Sequence, residues 1–394
     1  MRRTLYEQTH EDFRASFRTF VATEIVPHHE RWEQQGRVDR EMFLKAGEQG
    51  FLCMAVPEEY GGLGENDFRY NAIIGEELQR AGVIGSGMCI TLHNDVMLPY
   101  LMEATDEEQR KRWLPGMVTG EIMAAISMTE PGAGSDLAAL RTSARLDGDE
   151  YVLNGAKTFV TNGLNANLYV VAVRTNAAEK HKGISLIAVE EPTPGFDRGR
   201  HLDKIGLRSQ DTAELFFDDA RVPAANLIGE EGRGFTILME NLAQERLGLC
   251  VSAISASRTA LSWTVDYCAQ REAFGTRVLD MQNTRFTLAE LAARIDATQV
   301  FVDHLIALHN RGELNSVDAA KGKLLTTSLQ REVVGECLQL HGGYGFMREY
   351  PIARAYLDAP IQTIFGGTNE IMREIIGRTL EGEHGRAALD GRSA

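Results

Sequence analysis

The amino-acid sequence predicts an α+β fold, mainly α, built in three successive parts. Three observations carry that expectation. Through about the first 120 residues apolar side chains recur at helical spacing. Near residue 122 the pattern changes to short β-rich runs separated by turn residues. After Gly234 helical spacing returns, in segments longer than the average globular helix. The expected domains are residues 1–121 (N-terminal, helical), 122–234 (central, β) and 235–394 (C-terminal helical bundle).

In the first part, Thr9 with Asp12 reads as a helix start, followed by Phe13, Phe17, Phe20 and Ile25 before Pro27. Asp39 is a candidate cap for a second helix that stops at Gly50, and residues 57–64, PEEYGGLG, form a turn. Thr105 and Glu108 give a capping-box pattern ahead of Trp113 and Leu114. In the second part, residues 141–146, the turn Asp147-Gly148 and residues 151–153 read as strand, turn, strand. Further β-rich runs follow at 169–173, 184–189 and 215–217 with no helical crossover between them. That favours an antiparallel sheet or small barrel over a dinucleotide-binding βαβ unit. In the third part, helices are expected over 235–270, 281–311 and 316–340, and again after Gly367. The small polar tail from Glu383 onward is expected to be poorly ordered.

Of the 394 residues, 43% are apolar and 25% charged, an ordinary globular balance that excludes disorder or a fibrous repeat as the main state. Forty-one Lys and Arg against 56 Asp and Glu give a net charge of −15, which argues against nucleic acid as a partner. Any anionic ligand must be held by local basic residues and backbone amides. Five cysteines without CxxC spacing argue against a zinc site or a disulfide framework, and no metal is expected. MRRTLYEQTHEDF lacks the apolar stretch of a secretory signal, and no apolar run approaches the ~18 residues of a membrane span. The expectation is a soluble cytoplasmic protein or a mature organellar form.

Four features bear on chemistry. Glu245 lies within the stripe Leu238, Leu242, Leu249, Ala253, where burial would raise its pKa toward the range of a general base. The bland alternative is a buried glutamate paired with an arginine from another helix, Arg294 for instance. The run Thr129 to Asp136, TEPGAGSD, offers backbone amides and hydroxyls to an anionic or heteroaromatic ligand, or is simply a turn. The glycine pairs in HGGYGF (341–346) and FGGTNE (365–370) interrupt helical sequence, either for close ligand approach or for tight turns. In QREAFG (270–275), Arg271 can grip a pyrophosphate and Phe274 can pack on a ring; equally, Arg271 can merely complement a helix dipole.

In this order, MTEPGAGSD (128–136), KTFVTNG (157–163), GLRSQDTAELFFDDARVP (206–223), QREAFG (270–275), QLHGGYGF (339–346) and FGGTNEI (365–371) resemble the successive motifs of the acyl-CoA dehydrogenase family over essentially the whole chain. Many members carry the catalytic glutamate just before the Gly-Thr of the last motif, a position held here by Gly366. In the isovaleryl-CoA and long-chain branches the base sits on the first helix of the C-terminal domain, and LAQER (242–246) matches that arrangement at Glu245.

The resemblance implies FAD as cofactor. Ile126, Met128, Thr129, Ser135, Phe159 and Thr161 would line the isoalloxazine, and Thr368, Asn369 and Glu370 would lie beside the flavin and its linker. Arg271, Phe274, Gln282, Gln339 and Gly343 would act on the cofactor of a neighbouring subunit, which implies a homodimer or homotetramer. Ser135, Arg246 and Gly366 are carried over as substrate contacts near the thioester. The implied reaction converts a long-chain or branched acyl-CoA to the trans-2-enoyl-CoA, with electrons passed to an electron-transferring flavoprotein. Tolerance of branching is expected if Gly366 empties volume beside the α-carbon. Competing readings are an oxidase or flavin monooxygenase on the same scaffold, a non-catalytic acyl-CoA- or flavin-binding protein, and a cofactor-free helical scaffold.

Overall fold

The computed structural model describes residues 2–381, so the tail from Glu383 lies outside the described residues. Two compact units divide the chain. One comprises Met1–Ala15, Phe68–Gly82 and Leu242–Ala394; the other comprises Ser16–Asp67 and Val83–Asn241.

The N-terminal helices are α1 (Gln8–Phe20), α2 (Val26–Gln35), α3 (Arg40–Glu48), α4 (Phe68–Arg80), α5 (Ile84–Thr91), α6 (Leu98–Glu103) and α7 (Glu107–Thr119). Four local expectations shift. Thr9 lies inside α1, and its first turn is closed by His10, whose Nδ1 accepts from the Glu7 N–H at 3.2 Å. Pro27 does not end the helical run: a π-helical turn at Val21–Ile25 lets α2 start with proline in its first turn, where a missing N–H costs little. The capping box sits one residue later than expected, at Asp106 and Gln109, because Thr105 turns its hydroxyl back to the Leu101 carbonyl. Asp39 does precede α3, but its carboxylate binds Arg31 and Gln35 instead of capping.

The sheet strands are β1 (Ala124–Ser127), β2 (Ser143–Asp147), β3 (Glu150–Thr161), β4 (Leu168–Arg174), β5 (Ile184–Glu190), β6 (Phe196–His201), β7 (Thr212–Pro223) and β8 (Leu227–Ile228). They run in the order β6-β7-β3-β2-β4-β5-β8, and β1 joins β4 in parallel, Ile126 opposite Val170. The other neighbours are antiparallel, apart from one parallel contact between β2 and β4. β4 and β5 are buried on both faces, which explains their unbroken apolar sequences. β3 continues well past residue 153, through two register shifts against β7. Gly155 permits the first, at φ +144° with Thr142 packed against its α-carbon. Phe159 adopts φ +58° in the second and turns out, 68% exposed, while Lys157 on the same strand is fully buried.

The remaining elements are α8 (Gly234–Gln270), a two-residue hairpin β9 (Glu272–Ala273) and β10 (Thr276–Arg277), α9 (Gln282–Asn310), α10 (Ser316–Leu340), α11 (Pro351–Gln362) and α12 (Asn369–Thr379). In the bundle unit, Leu247, Cys250 and Ile254 of α8 pack with Ile295 and Leu305 of α9 and Val333 of α10. Gly322 allows this closeness, since a β-carbon there would lie 2.5 Å from Leu305 and 2.9 Å from Cys250. The chain start is tied in by ions: Arg3 binds Glu76 and Asp303, each at 2.6 Å, and Arg14 binds Glu76 at 2.8 Å. All five cysteines are buried. Among the described residues no helix is long and apolar enough to cross a membrane, and no group of three or more His, Cys, Asp or Glu could hold a metal.

Candidate active site

Of the expected stripe on α8, Leu238 and Ala253 are buried, while Leu242 and Leu249 keep partial exposure. Glu245 is nevertheless only 8% exposed. Arg246 beside it is buried too, and its Nε donates to the Gly366 carbonyl at 3.2 Å. Burial lowers the Arg246 pKa and the Glu245 carboxylate opposes that shift. The alternative partner for Glu245 is corrected: Arg294 forms a two-pronged pair with Glu332 across α9 and α10.

Gly366 and Gly367 both occupy left-handed backbone, φ +63° and +88°. A β-carbon at 366 would stand 2.6 Å from Leu249 Cδ1. The left-handed backbone favours glycine at this position, and the terminal methyl of Leu249 lies where a larger side chain would begin. Thr368 caps α12, its Oγ1 accepting from the Ile371 N–H at 3.3 Å. Asn369 is buried, whereas Glu370 is exposed and pairs with Arg373 at 3.1 Å.

Sequence reasoning missed Lys323, on α10. It is fully buried and donates to the Gly367 carbonyl at 2.6 Å and to Asn369 Oδ1 at 3.3 Å. Burial, aided by the Arg246 charge, pushes its pKa down to about 8. A signal was available: Ala319, Ala320, Lys323, Thr326, Thr327 and Gln330 form a helical stripe with one charged member, the same pattern that singled out Glu245.

At the other end of α8, the Arg271 guanidinium carbon lies 5.9 Å from the centre of the Tyr344 ring. Tyr267 stacks on His341 at 4.3 Å and donates to its carbonyl, which joins the end of α8 to the short turn holding Gly343. Gln339 is exposed in the last turn of α10, and Gln282, also exposed, opens α9. Phe274 caps the hairpin at φ +54° and is 99% exposed.

In the β unit, Ile126 lies on β1, with Met128 and Thr129 just beyond its end. The Thr158 N–H donates to the Thr129 carbonyl at 2.9 Å, and Lys157 Nζ donates to the Met128 carbonyl at 3.2 Å and to Glu130 at 2.8 Å. Glu130 also accepts from the Arg141 and Thr142 amides at 2.6 and 2.9 Å. Burial pushes Lys157 down to about 8 against the pull of Glu130. The Glu130 carboxyl ends below its ordinary range, because Lys157 and the amide donors outweigh the burial that would raise it.

Thus the segment after β1 that carries Met128 and Thr129 is bonded to Lys157 and Thr158 of β3, the strand that also carries Phe159 and Thr161, while Ile126 pairs with Val170 and Ser135 lies on the exposed turn that follows the Glu130–Ala133 bridge. Gly132 and Gly134 have nothing within 4 Å of a would-be β-carbon. Asp211, also missed, accepts from the Leu164 and Asn165 amides and so holds the turn that ends KTFVTNG; burial raises its carboxyl to about 6.

Comparison with known proteins covers nearly the whole chain. The family models for the acyl-CoA dehydrogenase N-terminal, middle and C-terminal domains match residues 7–121, 125–220 and 232–381. A long-chain specific acyl-CoA dehydrogenase, mitochondrial, of Sus scrofa is 46% identical over 380 residues, 96% of this chain and 88% of the relative. The crystal structure of an acyl-CoA dehydrogenase from Geobacillus kaustophilus superposes with TM-score 0.93 at 49% identity, covering 96% of this chain and 99% of that one. A glutaryl-CoA dehydrogenase from Mycobacterium smegmatis in complex with FADH2 superposes at 0.88 with 28% identity, covering 99% and 96%. The chain belongs to the acyl-CoA dehydrogenase family and is an oxidoreductase.

Proposed function

We propose that this protein is an FAD-dependent dehydrogenase of long-chain acyl-CoA, forming the trans-2-enoyl-CoA with Glu245 as the base. The observation that carries the reading is the buried Glu245–Arg246 pair of residues, with Arg246 bonded to the carbonyl of the very glycine that replaces a glutamate in many relatives. The long-chain specific relative supports the long-chain substrate class, and branched chains are kept as the alternative that Gly366 suggests.

The proposed flavin residues on β1, just after it and on β3 are of types that suit an isoalloxazine ring: Ile126, Met128 and Phe159 supply apolar surface, and Thr129 and Thr161 supply hydroxyls. When bound, FAD supplies the acceptor for a hydride from the substrate β-carbon. Ser135, Thr368, Asn369 and Glu370 are further proposed cofactor contacts. Arg271, Phe274, Gln282, Gln339 and Gly343 are proposed to serve the cofactor of a second copy in a dimer or tetramer.

The α-hydrogen of an acyl thioester is only weakly acidic. Glu245 takes it, and the Gly366 N–H stabilises the charge that develops on the carbonyl oxygen, a contribution of roughly 3–4 kcal/mol for a well-aimed donor. Arg246 and Ser135 hold the thioester end of the substrate. Electrons then leave singly to an electron-transferring flavoprotein.

Anaerobic titration with acyl-CoAs of 4 to about 18 carbons, straight and 2- or 3-methyl, tests the reading. The expected result is flavin bleaching that is fastest with long straight chains and stable until an electron-transferring flavoprotein is added. Fastest bleaching by short chains rejects the substrate class. Rapid recolouring in air with peroxide production supports an oxidase instead.

A further inference from the structure

The Phe365–Asn369 turn is anchored at both ends by backbone bonds, Phe365 N–H to the Ile361 carbonyl at 3.1 Å and Asn369 N–H to the Thr363 carbonyl at 3.0 Å. Between them stand two left-handed glycines, the residue type with the greatest freedom to rotate a peptide plane. Two buried cations hold that stretch. Arg246 grips the Gly366 carbonyl at 3.2 Å and Lys323 grips the Gly367 carbonyl at 2.6 Å. Lys323 also binds Asn369 Oδ1 at 3.3 Å, and Asn369 is itself held by Thr327 at 3.1 Å. Among the described residues Lys323 has no carboxylate at salt-bridge distance: Arg246 is a neighbouring like charge, and the Glu370 carboxylate opposes it only from farther off. An ammonium ion buried without a counter-ion is an expensive way to hold a turn. A neutral side chain would suffice if filling space were its whole task.

We propose that Lys323 is a positioning residue for the reaction: with Arg246 it pins consecutive carbonyls of the Gly366–Gly367 pair and thereby fixes the direction of the Gly366 N–H. The inference rests on the reading above, in which that N–H receives the acyl carbonyl. A donor that acts on charge present only in the transition state changes kcat and leaves KM nearly untouched when it is misaimed.

The test uses holoenzyme carrying Lys323→Met or Lys323→Arg, with two readouts: the kcat and KM split on the best substrate, and hydrogen exchange of the 365–369 amides. Lys323→Met is expected to lower kcat about 10- to 100-fold with KM within about threefold. Loop amides should exchange at least about tenfold faster while α9 is unchanged. Lys323→Arg, which keeps the charge, should recover most of kcat and of the protection. A kcat within twofold of the unsubstituted enzyme overturns the proposal, as does a loss of kcat without faster loop exchange. Should Lys323→Met yield no folded protein, Lys323→Gln decides on the same readouts. Glu245→Gln, run in parallel, separates the two ideas. Full activity there defeats the site reading, whereas an inactive Glu245→Gln beside a normal Lys323→Met defeats only the Lys323 proposal.

Discussion

Each unit of this protein buries one lysine completely, and the two solve the problem differently. Lys157 in the β unit neutralises its charge against Glu130 and adds one bond to the Met128 carbonyl. Lys323 in the bundle relies on the Gly367 carbonyl and the Asn369 amide oxygen, with Arg246 close enough to add to the destabilisation of its charge. Burial brings both to about 8. A closed ion pair costs little while both partners remain, so the β-unit lysine is explained by structure alone. The bundle lysine is not, and the turn it grips belongs to the proposed site.

The largest expected effect comes from breaking the pair. Lys157→Met leaves Glu130 buried without its cation and should cost about 3–5 kcal/mol in denaturant unfolding. The double variant with Glu130→Gln should regain part of that. A loss below about 1 kcal/mol would place Lys157 in the same class as Lys323.

Lys323→Met strands only a carbonyl, so its stability loss should be smaller, about 1–3 kcal/mol, even though its kinetic effect is the greater of the two. An equal or larger stability loss than Lys157→Met would erase the contrast.

The last effect concerns a third buried base and is spread over a range of pH. Burial pushes His93 down to about 4, with its Nε2 donating to the Met117 carbonyl at 3.1 Å and its ring edge-on to Phe43. Between pH 6.5 and 4 the unfolded chain binds a proton that the native state refuses, so stability falls as pH falls through that window. His93→Gln keeps a donor and should flatten the acid limb by at most about 1.4 kcal/mol per pH unit, read as melting temperature from pH 7 to 4. An unchanged slope would mean that His93 is protonated in the native state.

The succession of helices, sheet and bundle was legible because hydrophobic period changes where the architecture changes. Boundaries were less so, for physical reasons visible at single residues. Pro27 is accommodated by a π-helical turn that no local propensity announces. β3 runs through irregularities at Gly155 and Phe159 that scramble its alternation. Parallel pairing of β1 with β4 joins segments some 44 residues apart, beyond the reach of any hairpin signal. Glu245 was found because a charge on an apolar stripe stands out. Lys323 carries the same signal, one charge on a buried stripe, but weaker, because its stripe is made of small and hydroxyl residues instead of leucines. Glu130 was quoted within its motif, but its role depends on Lys157, a partner 27 residues away.

The central claim is that the carboxyl group of Glu245 takes the α-proton. Rapid-mixing measurement of flavin reduction in Glu245→Gln, under anaerobic conditions and with saturating long-chain acyl-CoA, tests it most directly. The account predicts a variant that retains FAD and binds ligand while its reduction slows at least about a hundredfold. Reduction at close to the unsubstituted rate would contradict it.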